Sequence, residues 1–529
     1  MRRLMLVALG VGAALPASAP GQALPPAAAV PTVVSSAPDT VSVTVYRDPN
    51  RRGGRVDPRW LQGYALISEK RRVHVPQGPS VLRFEGVADG MIAVSAVVSG
   101  LPGGVDEKNR DARLLSPAAL LDGSLGNRVH IRRTDRATGA VTETDAIIRS
   151  DARHAVVLQT AQGVEALRCS GLPETLVYDS IPEGLSAKPT FTVRTSAPQE
   201  TDAEVTLTYL ATGFDWSAHY VATLGEGGES VPPAAGEGDD RLDLFAWLTV
   251  ANGNGAAYPG AQLLAVAGEP HRTSDFAALS ARPEAPGLSL SCWPMDGTST
   301  SPVPPPPPAP MAMAAPVELA VTARRMDKAM IGMMAEQEDL GDLKLYRVPQ
   351  PVDILPSAQK QVALMHRENV PVRRFYKATF VPDEGESVSR PTTAMLRFRN
   401  LRSDGLGLPL PSGGVAILAE GAGGARLIGQ DSLADKAVGE EVELATGASD
   451  QIRLGAETFP AAGGRRRVRL TLTNATARAV PVEVALPGTG DARPQASAHL
   501  ATKNGARLWA VTVPAHGRVS LDLRYRMAD

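Results

Sequence analysis

The sequence predicts a mainly β protein: antiparallel β-sandwiches, one small SH3-like or Sm-like barrel, and a Pro-rich disordered linker. Three observations carry this. Runs in which apolar or β-branched residues alternate with polar ones recur along most of the 529 residues, the period of strands with one buried face. Gly (50) and Pro (44) are abundant, which suits closely spaced turns. No stretch sustains the i, i+3, i+4 spacing of a long amphipathic helix. A chain of this length exceeds one hydrophobic core and divides into about three or four domains.

Taken in order, Arg2 and Arg3 precede an apolar run from Leu4 to Leu15 and a small-residue stretch ending at Ala23. Charge, then apolar run, then small residues is the order of a secretory signal peptide over 1–23. The run falls well short of the roughly 20 residues that span a bilayer. Cleavage near Ala23 would deliver a soluble chain with no membrane span to the periplasm or the exterior. Residues 24–38, small and proline-punctuated, read as a disordered leader.

Strands then follow in TVSVTVYR, GYALISEKRRVHVP, SVLRFEGV and MIAVSAVVSGL, an N-terminal sandwich-like domain over 39–103. Ser116 and Pro117 supply a cap and a first helical residue. NRVHIRRT, VTETDAIIRS, HAVVLQTA and GVEAL come next, so 110–168 reads as the small barrel. Longer strands run from Thr190, interrupted by the solvated loop GEGGESVPPAAGEGDD. Residues 282–338 are a Pro, Met and Ala-rich linker whose proline run favours an extended spacer. Strands resume near Leu340 and continue to the end.

The formal net charge of −2 leaves no global basic field for nucleic acid or anionic lipid. Cys169 and Cys292 form either one disulfide or a buried thiol and a free one, and sequence alone does not supply the Cα separation that decides. Neither spacing nor number makes a zinc site.

Four segments read together as one pattern. VTLTYLATGFDWSAHYVATL runs into a turn carrying Gly213, Trp216, Ser217 and Tyr220. LFAWLTVANGNGAAYPGAQLLAVAG places Asn252 in a turn. LGDLKLYRVPQPVDILPSAQKQVALM and LPLPSGGVAILAEGAGGARLIGQDSL complete the set. From about residue 39 to the end the chain resembles the mucoidy-inhibitor-like exported bacterial proteins that carry the domain of unknown function 4139. The resemblance implies a β region in two parts, 169–281 and 339–529, with the insert between them. It departs from the family in having the small barrel where a long coiled coil is usual, and it implies no catalytic residue set.

Each residue pattern that could carry chemistry also has a structural reading. The eight histidines never form H-E-x-x-H, and His219 and His366 sit in strand patterns as structural residues. Ser357 and Lys360 make one S-x-x-K, at a loop entering a strand rather than on a helix. Asp215, Glu269 and Asp353 are carboxylates without a pairing geometry. Phe214, Trp216 and Tyr220 cluster in a chain poor in aromatics; they are ligand-facing candidates for sugar stacking, against a core reading that carries more weight. Arg467 and Arg469 of RRRVRL fit a solvated edge strand better than an acidic-glycan surface. No catalytic, cofactor-binding or metal-ligating residues are assigned, and no cofactor is expected. The expectation is a non-catalytic cell-envelope protein binding or scaffolding envelope proteins or polysaccharide. A glycan or peptide hydrolase with a site between β domains, and a structural homo-oligomer, are the alternatives.

Overall fold

The computed structural model describes residues 30–48, 56–57, 59–111, 114–134, 138–150, 156–166, 175–182, 185–225, 240–268, 270–271, 273–280, 334–380, 388–421, 423–462, 465–486 and 495–525. The signal peptide, the acidic loop over 226–239, Cys169, Cys292, Glu269 and nearly all of the 282–338 linker lie outside them.

The chain is mainly β. Its first stretch forms β1 (Thr32–Ser35), β2 (Thr40–Tyr46), β3 (Gly63–Val75), β4 (Gly78–Glu85), β5 (Val97–Ser99) and β6 (Glu107–Asp111). Helix α1 (Pro117–Gly123) leads into β7 (Arg128–Thr134), β8 (Val141–Ile148), β9 (Val157–Thr160), β10 (Gly163–Ala166) and β11 (Thr175–Tyr178). Next come β12 (Thr190–Ala197), β13 (Thr201–Leu224), β14 (Asp240–Asn252), β15 (Tyr258–Ala267) and the short α2 (Phe276–Ser280). Then follow β16 (Glu336–Leu340), β17 (Leu343–Arg347), β18 (Val352–Ile354), β19 (Ala358–Thr379), β20 (Val388–Arg399), β21 (Gly413–Ala419) and β22 (Arg426–Leu433). The last are β23 (Glu441–Ala462), β24 (Arg465–Asn474), β25 (Val480–Leu486), β26 (Gln495–Ala496), β27 (Ala501–Lys503), β28 (Ala506–Val513) and β29 (Arg518–Tyr525). Among the described residues no helix is long and apolar enough to cross a membrane.

One four-stranded sheet has the order β1-β4-β12-β6. A larger one runs β14-β13-β3-β2-β15-β17 through its pairings. Leu82, Phe84, Phe191 and Val193 of the first share a core with Ile67, Val205 and Leu207 of the second. Burying each of these side chains stabilises by roughly 1.5–3 kcal/mol. The strands expected to form a separate sandwich over 39–103 are therefore divided between two sheets, and both sheets draw on strands beyond residue 190. Alternation alone sets which face of a strand is buried, not which strand lies beside it. The leader expected over 24–38 also needs correction, because Thr32–Ser35 pairs in parallel with β4.

Strand β13 is the longest strand described. Its first half pairs with β3, and its second half lies between β14 and β21. The turn expected around Gly213 is instead a shift in register between Thr212 and Phe214 within one strand. Gly213 has φ +82°, and a Cβ there would stand 3.0 Å from the Asn254 amide nitrogen; a bulge uses such a residue to increase twist without ending the strand.

The segment read as a small barrel forms a five-stranded sheet, β10-β9-β8-β7-β11, whose last strand lies past residue 168. Leu121 of α1 packs on Val129, Ile131, Ile148 and Leu158. The helix begins where its cap predicts, with the Ala119 N–H donating to Ser116 Oγ at 3.1 Å.

Strand β19 pairs with β14 up to Val372, then continues between β20 and β25. The β20-β23-β24-β29 run and the β25-β28 pair enclose a second core that includes Ile452, Leu470, Val484, Trp509 and Leu521. The linker ends earlier than 338, since β16 starts at Glu336.

Three buried asparagines turn the chain at strand ends. Asn252 Oδ1 accepts from the Asn254 N–H at 3.0 Å, and its Nδ2 donates to Ala256 O and Leu355 O. Asn400 Oδ1 accepts from the Gly407 N–H at 3.0 Å and Nδ2 donates to Leu408 O and Ala437 O. Asn474 Oδ1 accepts from Thr476 N–H at 2.8 Å while Nδ2 donates to Arg478 O, Val513 O and Pro514 O. An amide supplies both signs of hydrogen bond to backbone that has just left its ladder.

Candidate functional site

The aromatic candidates do not form a ligand platform. Phe214, Trp216 and Tyr220 lie on β13 with exposures of 0%, 0% and 1%. Trp216 Nε1 donates to Val266 O at 3.0 Å and its ring meets Tyr346 edge-on. The Tyr220 hydroxyl donates to Pro411 O at 2.6 Å, and burial pushes its pKa well up. Both polar tips are thus spent inside the protein, and stacking on a sugar would require at least one ring face in solvent.

The remaining sequence candidates are dispersed. Asp215 is buried and accepts from the Asp48 and Trp216 N–H groups at 3.1 and 2.8 Å, a backbone-capping role. Asp353 accepts from the Gly260 N–H at 2.9 Å. Ser357 precedes β19 with φ +48°, and Lys360 lies within that strand, so the pair has no helical turn to align it. His219 Nδ1 is 2.9 Å from Thr249 Oγ1, while His366 stands against the Phe245 ring.

The edge-strand reading of RRRVRL is overturned. β24 lies between β23 and β29. Arg469 Nε donates to Asp522 Oδ1 at 3.0 Å, and Arg467 and Arg469 both approach the Phe459 ring. A cross-strand carboxylate and an aromatic face stabilise charges that looked solvated in one dimension.

Two charged clusters tie strands together, one in the interior and one partly exposed. On β3, Glu69 and Arg71 both point inward and are 1% and 0% exposed. Arg71 donates to Glu69 Oε2 at 2.9 and 2.6 Å and to Ser35 O and Glu85 O at 2.9 Å each, so it joins the large sheet to β1 and β4. The Tyr209 hydroxyl donates to Glu69 Oε1 at 2.8 Å and accepts from the Ala88 N–H. Near the second core, Arg397 contacts Glu443 and Glu483 and lies over Phe375 at 4.0 Å. Burial pushes the Glu443 carboxyl up, but hydrogen bonds from Lys377, Lys503 and Arg397 outweigh it and hold the pKa well below the usual range. In both clusters each charge meets its opposite, an arrangement that fixes the fold.

Two histidines, His74 on β3 and His130 on β7, each bridge two carboxylates. His74 Nδ1 is 2.8 Å from Asp202 and Nε2 is 2.7 Å from Glu200. His130 sits 2.8 Å from Asp145 and from Asp179. Those hydrogen bonds raise both pKa values, Asp202 first for His74 and Asp179 first for His130. Among the described residues no group of three or more His, Cys, Asp or Glu is placed to hold a metal ion.

The outer face of the four-stranded sheet carries a solvent-open groove of about 450 Å³, bordered by Thr32, Arg83, Glu107, Asn109, Thr192 and Arg194. Cross-strand register brings these together: Arg83 is opposite Thr192, and Thr192 opposite Asn109. In the next row Val81, Arg194 and Glu107 align. Arg83 Nε is buried without a hydrogen-bond partner, its nearest carboxylate being Glu85 at 4.0 Å. Arg194 Nη1 lies 3.5 Å from Glu107 Oε2, and Glu107 Oε1 is held by Asn109 Nδ2 at 2.8 Å. The sequence signal was faint: SVLRFEG and TFTVRTSA each place an arginine at an outward position between inward-facing residues, and only the pairing of β4 with β12 makes them neighbours. No protein-family profile and no curated protein sequence matches the chain.

Proposed function

We propose that the chain is an exported cell-envelope protein, a relative of the mucoidy-inhibitor-like proteins, that binds or scaffolds other envelope components without catalysing a reaction. Export follows cleavage near Ala23, the sheets act as sandwiches, and the small β7–β11 unit acts as an SH3-like contact module. The observation that carries the reading is a contrast in how charges are used. The buried Glu69 and Arg71 and the part-buried Glu443 are engaged in holding strands together. Arg83, whose Nε is buried without an acceptor, and Arg194, whose nearest carboxylate stands 3.5 Å away, sit on an outer face. Polar groups held ready on a rigid sheet suit recognition.

The test is crosslinking in intact cells followed by purification and mass spectrometry. The expected result is a reproducible envelope partner, protein or polysaccharide, lost when the cells express a signal-deleted chain. Recovery of the chain free of any such partner overturns the proposal.

A further inference from the structure

We propose that the groove on the outer face of the β1-β4-β12-β6 sheet binds a carboxylate-bearing ligand, held between Arg83 and Arg194. The inference deepens the binding reading above and rests on it.

The argument starts from donors. A guanidinium presents five N–H groups in a planar fork, and native proteins rarely leave a buried one without an acceptor. Two guanidinium forks stand on adjacent strands here, Arg83 with a buried Nε that lacks an acceptor and Arg194 half exposed. Arg194 lies two residues along β12 from the residue facing Arg83, a diagonal spacing of about 7–8 Å between backbones that long side chains readily close. Neither guanidinium makes a hydrogen bond among the described residues, and each has only a carboxylate at ion-pair distance. An oxyanion between the forks supplies the acceptors both lack.

The surroundings narrow the ligand. Arg110, which also borders the groove, is engaged with the Ser280 and Asp89 carbonyls. Glu107 faces the same space, fixed by Asn109. Arg83 has Glu85 at 4.0 Å and Arg194 has Glu107 at 3.5 Å, so the third arginine that borders the groove, Arg110, leaves the cluster with one positive charge in excess, which matches one carboxylate. A dianionic phosphate brings a second negative charge toward Glu107 and is disfavoured. The Thr32 and Thr192 hydroxyls border the groove and add polar contacts beside the anion. β6 has the sequence EKNRD, and such dense charge disfavours pairing by an added strand, so the ligand enters the groove rather than extending the sheet.

Carboxylates of a sugar acid and of a peptide C-terminus share this chemistry, and calorimetric titration of the full chain separates them. The probes are D-glucuronate and acetyl-trialanine, with D-glucuronamide and the tripeptide amide as uncharged controls and inorganic phosphate as the competing anion. Saturable binding of one acid and not its amide is expected, weakened at least tenfold in both R83M and R194M. Glu107→Gln is expected to tighten it severalfold, a gain that an unfolded variant does not produce. Binding of neither acid at millimolar concentration overturns the inference, as do affinities unchanged in R83M and R194M, or phosphate binding tighter than both acids. If R83M still crosslinks to the partner of the wild-type chain while the titrations are blank, the groove assignment falls and the broader binding reading stands.

Discussion

Replacing Arg71 with Met removes the cation from the interior and leaves Glu69 in place. The Glu69 carboxylate, 1% exposed, then keeps one hydrogen bond, from Tyr209, while Ser35 O and Glu85 O lose their donor. Removing one partner of a buried ion pair costs about 3–5 kcal/mol, mostly because the surviving charge is uncompensated. Met fills much of the vacated volume, so the loss is electrostatic rather than a cavity effect. Adding Glu69→Gln to Arg71→Met removes the stranded charge, and the amide oxygen still accepts from Tyr209. The double variant should therefore recover most of the loss and stand within about 2 kcal/mol of the wild type. Urea titrations followed by tryptophan emission and by far-UV circular dichroism measure the wild type and both variants. The reasoning is refuted if Arg71→Met costs less than about 1 kcal/mol, or if the double variant is no more stable than the single one.

Asn474→Asp turns a donor to three carbonyls into an acceptor while leaving Thr476 bonded. A loss of about 3–5 kcal/mol is expected, seen as a lower melting temperature, whereas Asn504→Asp in an exposed turn should be nearly neutral. Each of His74 and His130 has a raised folded-state pKa, so its stabilising contribution is complete below the ordinary histidine value of 6.5 and fades as pH rises through the folded value. Nuclear magnetic resonance should place both ring titrations above 6.5, and Asp202→Asn should lower that of His74; a midpoint at or below 6.5 in the wild type would refute the bridging geometry.

Strand existence was legible because alternation records burial directly. TVSVTVY became β2 with its valines inward, and Asn252 was readable as a turn because an amide after an apolar run has backbone to cap. Continuity was harder to read. Gly213 looks like punctuation, yet the strand passes through it, since a glycine at positive φ serves a bulge as well as a turn. β1 escaped notice because four residues between prolines carry too little pattern. RRRVRL misled for a different reason: the partners that stabilise its arginines, Asp522 and Phe459, lie on two other strands. The groove was invisible on the same ground, because Arg83 and Arg194 become neighbours only through the register of β4 with β12.

The pairing of β2 with β15 has a consequence for how the molecule is made. Ser42 lies beside Gln262, and farther on Ala218 lies beside Gly413. A chain that emerges from its N-terminus exposes β2 long before β15 exists, and β13 long before β21. Each closure loses conformational entropy ahead of the contacts it gains, and topologies dominated by such distant pairings fold slowly. Until the later strands arrive, the early ones present open hydrogen-bonding edges to any neighbour. Assembly order, more than final stability, is therefore where this fold is most exposed to failure.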